Sequence, residues 1–132
     1  MERQELFQRA VMLQRQSEET EQQLRFVDEQ IAELEKFKEG LKSFRESKEK
    51  EILANLGKGV YVKSEIKDRE KLFVEVGAGV IVKKTPIEAM KVVEEQIARF
   101  ENARVQIASQ LESYNEELRS MIGEIENLRE KG

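Results

Sequence analysis

From Met90 to Leu128 the sequence reads MKVVEEQIARFENARVQIASQLESYNEELRSMIGEIENL, and its apolar residues return at alternating steps of three and four. Met90, Val93, Ile97, Phe100, Arg104, Ile107, Leu111, Tyr114, Leu118, Met121, Ile125 and Leu128 carry the rhythm, with Arg104 as its one polar position. A seam with a period of about 3.5 residues winds left-handed around a partner helix and buries little else. The stretch therefore reads as one strand of a coiled coil, with no globular core around an active site.

Working upstream, Thr85-Pro86-Ile87-Glu88 marks where this helix begins. It is a capping box: the Thr85 hydroxyl can accept the Glu88 amide, while the Glu88 carboxylate reaches back to the Thr85 amide. Pro86 at the first helical position needs no amide partner. Before that point the pattern has period two. Val60, Val62, Ser64 and Ile66 alternate with Tyr61, Lys63 and Glu65; Leu72, Val74 and Val76 alternate with Phe73 and Glu75; Val80, Ile81 and Val82 follow. Gly77-Ala78-Gly79 reads as a tight hairpin connection. It is not a dinucleotide loop, which would need a third glycine at Val82 and a helix directly after the strand. Ile52 to Leu56, stopped by Gly57-Lys58-Gly59, fits either a short leading strand or a frayed helix end.

Further upstream lies a second long seam: Leu6, Ala10, Leu13, Ser17, Thr20, Leu24, Val27, Ile31 and Leu34, then Phe37, Leu41 and Phe44. The step from Leu34 to Phe37 is three where four was due, a stammer that locally overwinds a supercoil. This helix is expected to run to about Ala54. Each helix would be on the order of 65–75 Å long at about 1.5 Å per residue. Three segments follow: an N-terminal coiled-coil helix over 1–54, a β-hairpin oligomerisation segment over 55–84 and a C-terminal coiled-coil helix over 85–132, together one structural domain. The fold class is α+β and mostly α: a long antiparallel helical coiled-coil hairpin with two β-hairpins between the helices.

Composition narrows function by exclusion. Charged residues make up 38% of the chain and aromatic residues 6%, as suits exposed helices. His and Cys are both absent, which removes Ser-His and Cys-His nucleophiles and thiolate or imidazole metal sites. An enzyme is not expected, nor a cofactor or metal. A formal net charge of −4 argues against a nucleic-acid backbone as partner. No run approaches the roughly 20 apolar residues of a membrane span, and the start lacks a signal-peptide core. Together with the missing cysteines this suits a cytoplasmic location.

The two seams can be set against each other. In an antiparallel hairpin, facing residues have numbers with a constant sum. Taking Leu24 opposite Tyr114 gives 138, which also pairs Val27 with Leu111, Ser17 with Met121 and Leu13 with Ile125, and puts Arg104 opposite Leu34. A 3.5-residue repeat permits shifted registers too. Paired this way, four apolar residues off the seam, Phe7, Val11, Met12 and Ile122, gather at the free end of the hairpin as a contact surface. At the other end, hairpins with apolar groups on both faces cannot bury themselves. Val60, Val62, Leu72, Val74, Val76, Val80 and Val82 are expected to be covered partly by other subunits.

Helix, paired β-hairpins, helix, with LGKGVYV over 56–62 and LFVEVGAGVIVKKTP over 72–86 between the coils, resembles the alpha class of the archaeal prefoldin family. Beta-class members have a single hairpin, and this segment is long enough for two. The resemblance implies a hexamer of two alpha-class and four beta-class subunits whose hairpins form β-barrels with the coils hanging from them. It implies ATP-independent capture of non-native proteins at the coil ends, and their transfer to a group II chaperonin. On this chain the client-binding ends would be Leu6, Phe7, Val11, Met12, Met121, Ile122, Ile125 and Leu128. The alternative, of another class, is a structural coiled-coil scaffold or filament-forming subunit without client transfer.

Overall fold

The computed structural model describes residues 2–131. In chain order it contains helix α1 (Arg3–Glu46), strands β1 (Glu51–Gly57), β2 (Val60–Glu65), β3 (Leu72–Gly77) and β4 (Val80–Lys84), and helix α2 (Pro86–Lys131). The capping box opens α2 as its sequence dictates. The Glu88 amide donates to the Thr85 hydroxyl at 3.2 Å, and the Thr85 amide donates to the Glu88 carboxylate at 3.0 Å. Hydrogen bonding to the carboxylate from the Thr85 backbone amide first, and from the Thr85 hydroxyl second, holds the Glu88 carboxyl below its ordinary range.

Helix α1 ends at Glu46, well short of the expected boundary near Ala54, and Ile52 to Leu56 belong to a strand. Two local features explain the early stop. The Ser47 hydroxyl accepts the Glu49 amide at 3.2 Å, a turn that competes with continued helix. Arg69, from the link between the hairpins, donates to the Phe44 carbonyl at 2.8 Å and lies over the Phe44 ring at 5.2 Å. A cation bonded to a last-turn carbonyl also suits the negative end of the helix dipole. Freed from the helix, the 51–57 segment pairs antiparallel with β2, with Ala54 opposite Val62 and Ile52 opposite Ser64.

β3 pairs with β4 in the same manner, with Val74 opposite Val82. The two hairpins share one construction. LGKGVYVK over 56–63 and VGAGVIVK over 76–83 place the same Gly-x-Gly-Val at the tip. Lys58 with Gly59, and Ala78 with Gly79, form two-residue loops in which both residues have positive φ, the turn whose twist matches its strands. Beside each loop the register slips by one residue, leaving Leu56 and Val76 as bulges. The two hairpins are separate two-stranded sheets, so within one chain the strands are open and no barrel closes.

The chain divides into two compact units, residues 33–97 and residues 1–32 with 98–132. In the first, Leu41 of α1 packs with Ala89, Val93 and Ile97 of α2, and Leu72 of β3 and Leu34 lie against them. Lys38 pairs with Glu94 at 3.4 Å. In the second, the helix pair buries Leu6, Leu13, Val27 and Met121 together with the seam hydroxyls of Ser17 and Thr20. Neither hydroxyl lacks a partner: Ser17 donates to the Asn115 side-chain carbonyl at 2.7 Å, and Thr20 donates to the Gln16 backbone carbonyl at 2.7 Å.

These contacts correct the expected register. Ser17 faces Asn115, Asp28 binds Arg104 and Lys38 binds Glu94, and each pair adds to 132. The sum of 138 is off by close to one heptad, the shift that leaves an apolar seam matched to an apolar seam. Apolar periodicity alone cannot separate the two arrangements, whereas the polar pairs do. Arg104 accordingly meets Asp28 and not the neighbourhood of Leu34. Arg9 reaches Glu117 along a diagonal at 3.2 Å.

Candidate functional site

Phe7, Ala10, Val11 and Gln14 recur at helical spacing along one face of α1. Leu118, Ile122, Ile125 and Arg129 do the same on α2. The two faces line one groove of about 560 Å³, with Glu126 completing its wall. Phe7 is 48% exposed, Val11 58% and Ile122 46%, a contiguous apolar surface beside the buried seam. All backbone groups along this groove belong to helices, so what it offers is side chains.

Of the eight residues expected at the helix ends, Phe7, Val11, Ile122 and Ile125 come together in the groove. Met12 and Leu128 are exposed but lie outside its lining. Leu6 and Met121 are not available: they are 2% and 9% exposed and hold the two helices together. For Leu6 the reason is the register, whereas Met121 is a seam residue that the partner helix covers at either sum. At a sum of 138 the first residues of α1 would overhang the end of α2, whereas at 132 Leu6 is covered by the partner helix. Sequence reasoning missed Ala10 and Leu118, which it had placed in the seam, and Gln14, Glu126 and Arg129. The available signal was spacing, since Gln14 stands three residues after Val11, and Glu126 four and Arg129 seven after Ile122.

The second surface is the hairpin pair. Val60, Val62, Val76 and Val80 are exposed in the single chain, while Leu72, Val74 and Val82 are half-buried. Leu53, Leu56, Tyr61, Phe73 and Ile81, which the alternation alone does not single out, are exposed as well. Beside β3 an apolar hollow of about 480 Å³ opens between Phe37, Phe44, Leu72, Phe73, Val74 and Val92. Two-stranded sheets with both edges open and both faces apolar are marginal alone. Among the described residues no group of acidic side chains could hold a metal ion, and no helix is long and apolar enough to cross a membrane.

A family model described as "Prefoldin subunit" matches residues 13–131, which takes in α1 from Leu13 onward, all four strands and α2. Prefoldin subunit alpha of Methanopyrus kandleri is 31% identical over 86 residues, covering 64% of this chain and 55% of that protein. Its counterpart in Methanococcus vannielii is 28% identical over 111 residues, covering 84% of this chain and 75% of the relative. The chain thus spans about half the length of the first relative and three quarters of the second. In fold, the chain superposes on a subunit of filamentous PFD from Methanocaldococcus jannaschii, solved by cryo-EM, with a TM-score of 0.74. That comparison covers 92% of this chain and 98% of the other at 21% identity. With two long helices joined by two small hairpins and a family match along nearly its whole length, the chain belongs to the prefoldin family, among alpha-class subunits.

Proposed function

We propose that this chain is the alpha-class subunit of an ATP-independent chaperone that holds non-native proteins at the free ends of its helices and passes them to a group II chaperonin. Family membership supports a chaperone-type role without catalysis. The observation that carries the finer reading is the exposed groove of Phe7, Val11 and Ile122. Its side chains are apolar and lie off the buried seam, so they contribute little to joining the helices and are free to meet a partner. The chain has no phosphate-binding loop, in keeping with capture that needs no nucleotide. The open hairpins would join beta-class subunits, two alpha with four beta, and several helix ends acting together would gain affinity by avidity from weak contacts. The compartment would be the cytoplasm.

The test is a triple substitution, Phe7→Ser, Val11→Ser and Ile122→Ser, in the assembled protein. All three side chains are exposed, so folding and assembly should persist. Suppression of the aggregation of a refolding protein, followed by light scattering, should be lost. Full suppression by the variant would overturn the groove as the capture surface.

One observation favours a second reading: the structural neighbour from M. jannaschii is filamentous. A filament-forming scaffold would use the same open hairpins and transfer no client. Mixing the chain with a beta-class subunit and measuring mass separates the two, since a closed complex of defined mass supports the chaperone and open-ended polymers support the scaffold.

A further inference from the structure

Arginine and lysine are sharply segregated along this chain. Residues 1–32 and 98–132 contain eight Arg and one Lys, whereas residues 33–97 contain two Arg and twelve Lys. Both side chains carry one positive charge, so neither solubility nor net charge accounts for the choice. They differ in shape and hydration. The guanidinium is flat, weakly hydrated and stacks on aromatic rings, while the ammonium is a compact, strongly hydrated point charge.

Four of these eight arginines stand at the groove or within a turn of its lining residues, while Arg25 and Arg99 do not. Arg129 lines the groove. Arg3 stands one turn before Phe7, Arg15 one turn after Val11, and Arg119 three residues before Ile122, spacings that bring side chains together on a helix face. Among the described residues Arg3, Arg15 and Arg129 have no ion-pair partner within 4 Å, while Arg9 and Arg104 are engaged by Glu117 and Asp28. Arg119 spends one nitrogen on the Asn115 carbonyl at 3.4 Å. One flat cation, Arg129, therefore lines an apolar floor that includes the exposed ring of Phe7, and Arg3, Arg15 and Arg119 stand within about a turn of its lining residues.

We infer that this groove selects aromatic-bearing segments of non-native proteins, with the guanidinium planes of Arg129 and its neighbours stacking on their rings. The inference rests on the groove being the capture surface and names the class of segment it takes. A carboxylate would also fit an arginine fork, but drawing it onto an apolar floor costs desolvation that a ring does not incur. An ammonium in the same places would keep the charge and lose the flat contact.

The experiment replaces Arg3, Arg15, Arg119 and Arg129 with Lys in the assembled protein, leaving net charge unchanged. Binding is measured by fluorescence anisotropy with two labelled peptides of equal length and charge, one bearing Phe and Trp and the other Leu and Ile. Affinity for the aromatic peptide should fall about fivefold, as expected for the loss of one or two exposed cation–π contacts. Affinity for the aliphatic peptide should change less than twofold. Equal losses for both peptides, or no loss for either, would overturn the inference while leaving the capture surface intact. A third, aliphatic peptide bearing Glu that lost affinity in place of the aromatic one would overturn it in favour of carboxylate recognition. If the unsubstituted protein bound none of the peptides, the capture surface itself would fall, and this inference with it.

Discussion

A pair of engineered cysteines can decide the register of the helical hairpin. The chain has no cysteine of its own, so Ser17→Cys with Asn115→Cys supplies the only thiols. Those side chains already meet at 2.7 Å, which makes them the facing pair, and a disulfide forms where the Cα atoms come within about 7 Å. The control is Leu24→Cys with Tyr114→Cys, the pair that faces if the register sum is 138. At a sum of 132 the position facing Leu24 is Ala108, and Tyr114 lies six residues further on, about 9 Å along the helix axis at 1.5 Å per residue. With helix axes about 8–10 Å apart, the Cα atoms of the control pair are on the order of 10 Å or more from each other, too far to bridge. Closing the first pair creates a loop of 98 residues, for which chain entropy predicts a ceiling of about 4.7 kcal/mol. Under mild oxidation the 17/115 variant should therefore migrate faster on a non-reducing gel at unchanged mass. At fixed protomer concentration its melting temperature should rise by roughly 10 °C, reversibly with reductant. If the 24/114 variant closed as readily as the 17/115 variant, the register drawn from the polar pairs would be wrong, and Leu6 would return to the exposed end.

Three further outcomes follow from named contacts. Leu13 is fully buried between the helices, so Leu13→Ala should cost about 3 kcal/mol in thermal or denaturant unfolding, while Val11→Ala two residues away stays within about 0.5 kcal/mol; equal effects would refute the assignment of seam and groove. Because the Glu88 carboxyl is held below its ordinary value of 4.5, its contribution is complete above that value and is lost as pH falls through its lower, folded pKa. The difference in melting temperature between the native protein and Glu88→Gln should thus be present at neutral pH and shrink only on the acid side. Gly40 sits inside α1 with open space where a methyl group would project, so Gly40→Ala should stabilise by about 1 kcal/mol, whereas Gly79→Ala at φ +75 should destabilise by a similar amount, both read by chemical denaturation.

Local rules made much of the fold legible. The capping box at Thr85–Glu88 and the Gly77-Ala78-Gly79 tip are signals whose chemistry is complete within a few residues, and the structure contains both, whereas the matching tip at Gly57-Lys58-Gly59 reads from sequence only as the end of a strand or of a frayed helix. What stayed hidden depended on residues distant in sequence. KSFRESKEKE over 42–51 has ordinary helix-forming composition, and besides the Ser47 turn it is Arg69 above Phe44 and the pairing of 51–57 with β2 that explain why α1 ends at Glu46. The register was hidden for a different reason: a repeated apolar seam is nearly degenerate under a heptad shift, and the polar residues that break the degeneracy looked like weaknesses in it. Ser17 reads as a gap in an apolar stripe until Asn115 is placed opposite. The site inherited that error, since the residues covered at the helix ends depend on where α1 begins against α2.

The two apolar surfaces call for different kinds of partner, and the backbone is the reason. Strands β1 to β4 leave a row of unpaired N–H and C=O groups along each open edge, and once water is excluded a neighbouring strand at fixed spacing and direction satisfies the whole row. A partner at the hairpins must therefore match in register, which suits a permanent neighbour of defined structure. Along the groove every backbone group already serves its own helix, leaving Phe7, Val11, Ile122 and Ile125 to act through contact area alone. Burial of such area is non-directional and tolerates many shapes, which suits the proposed capture of chains that have no fixed structure. On this reading assembly and capture can vary independently: Val74→Asp would place an unpaired charge in the hairpin layer and block joining to other subunits, yet leave the groove as it is. Dissociation by sedimentation together with undiminished helical signal is the expected result, and normal assembly of that variant would remove the hairpins from the subunit interface.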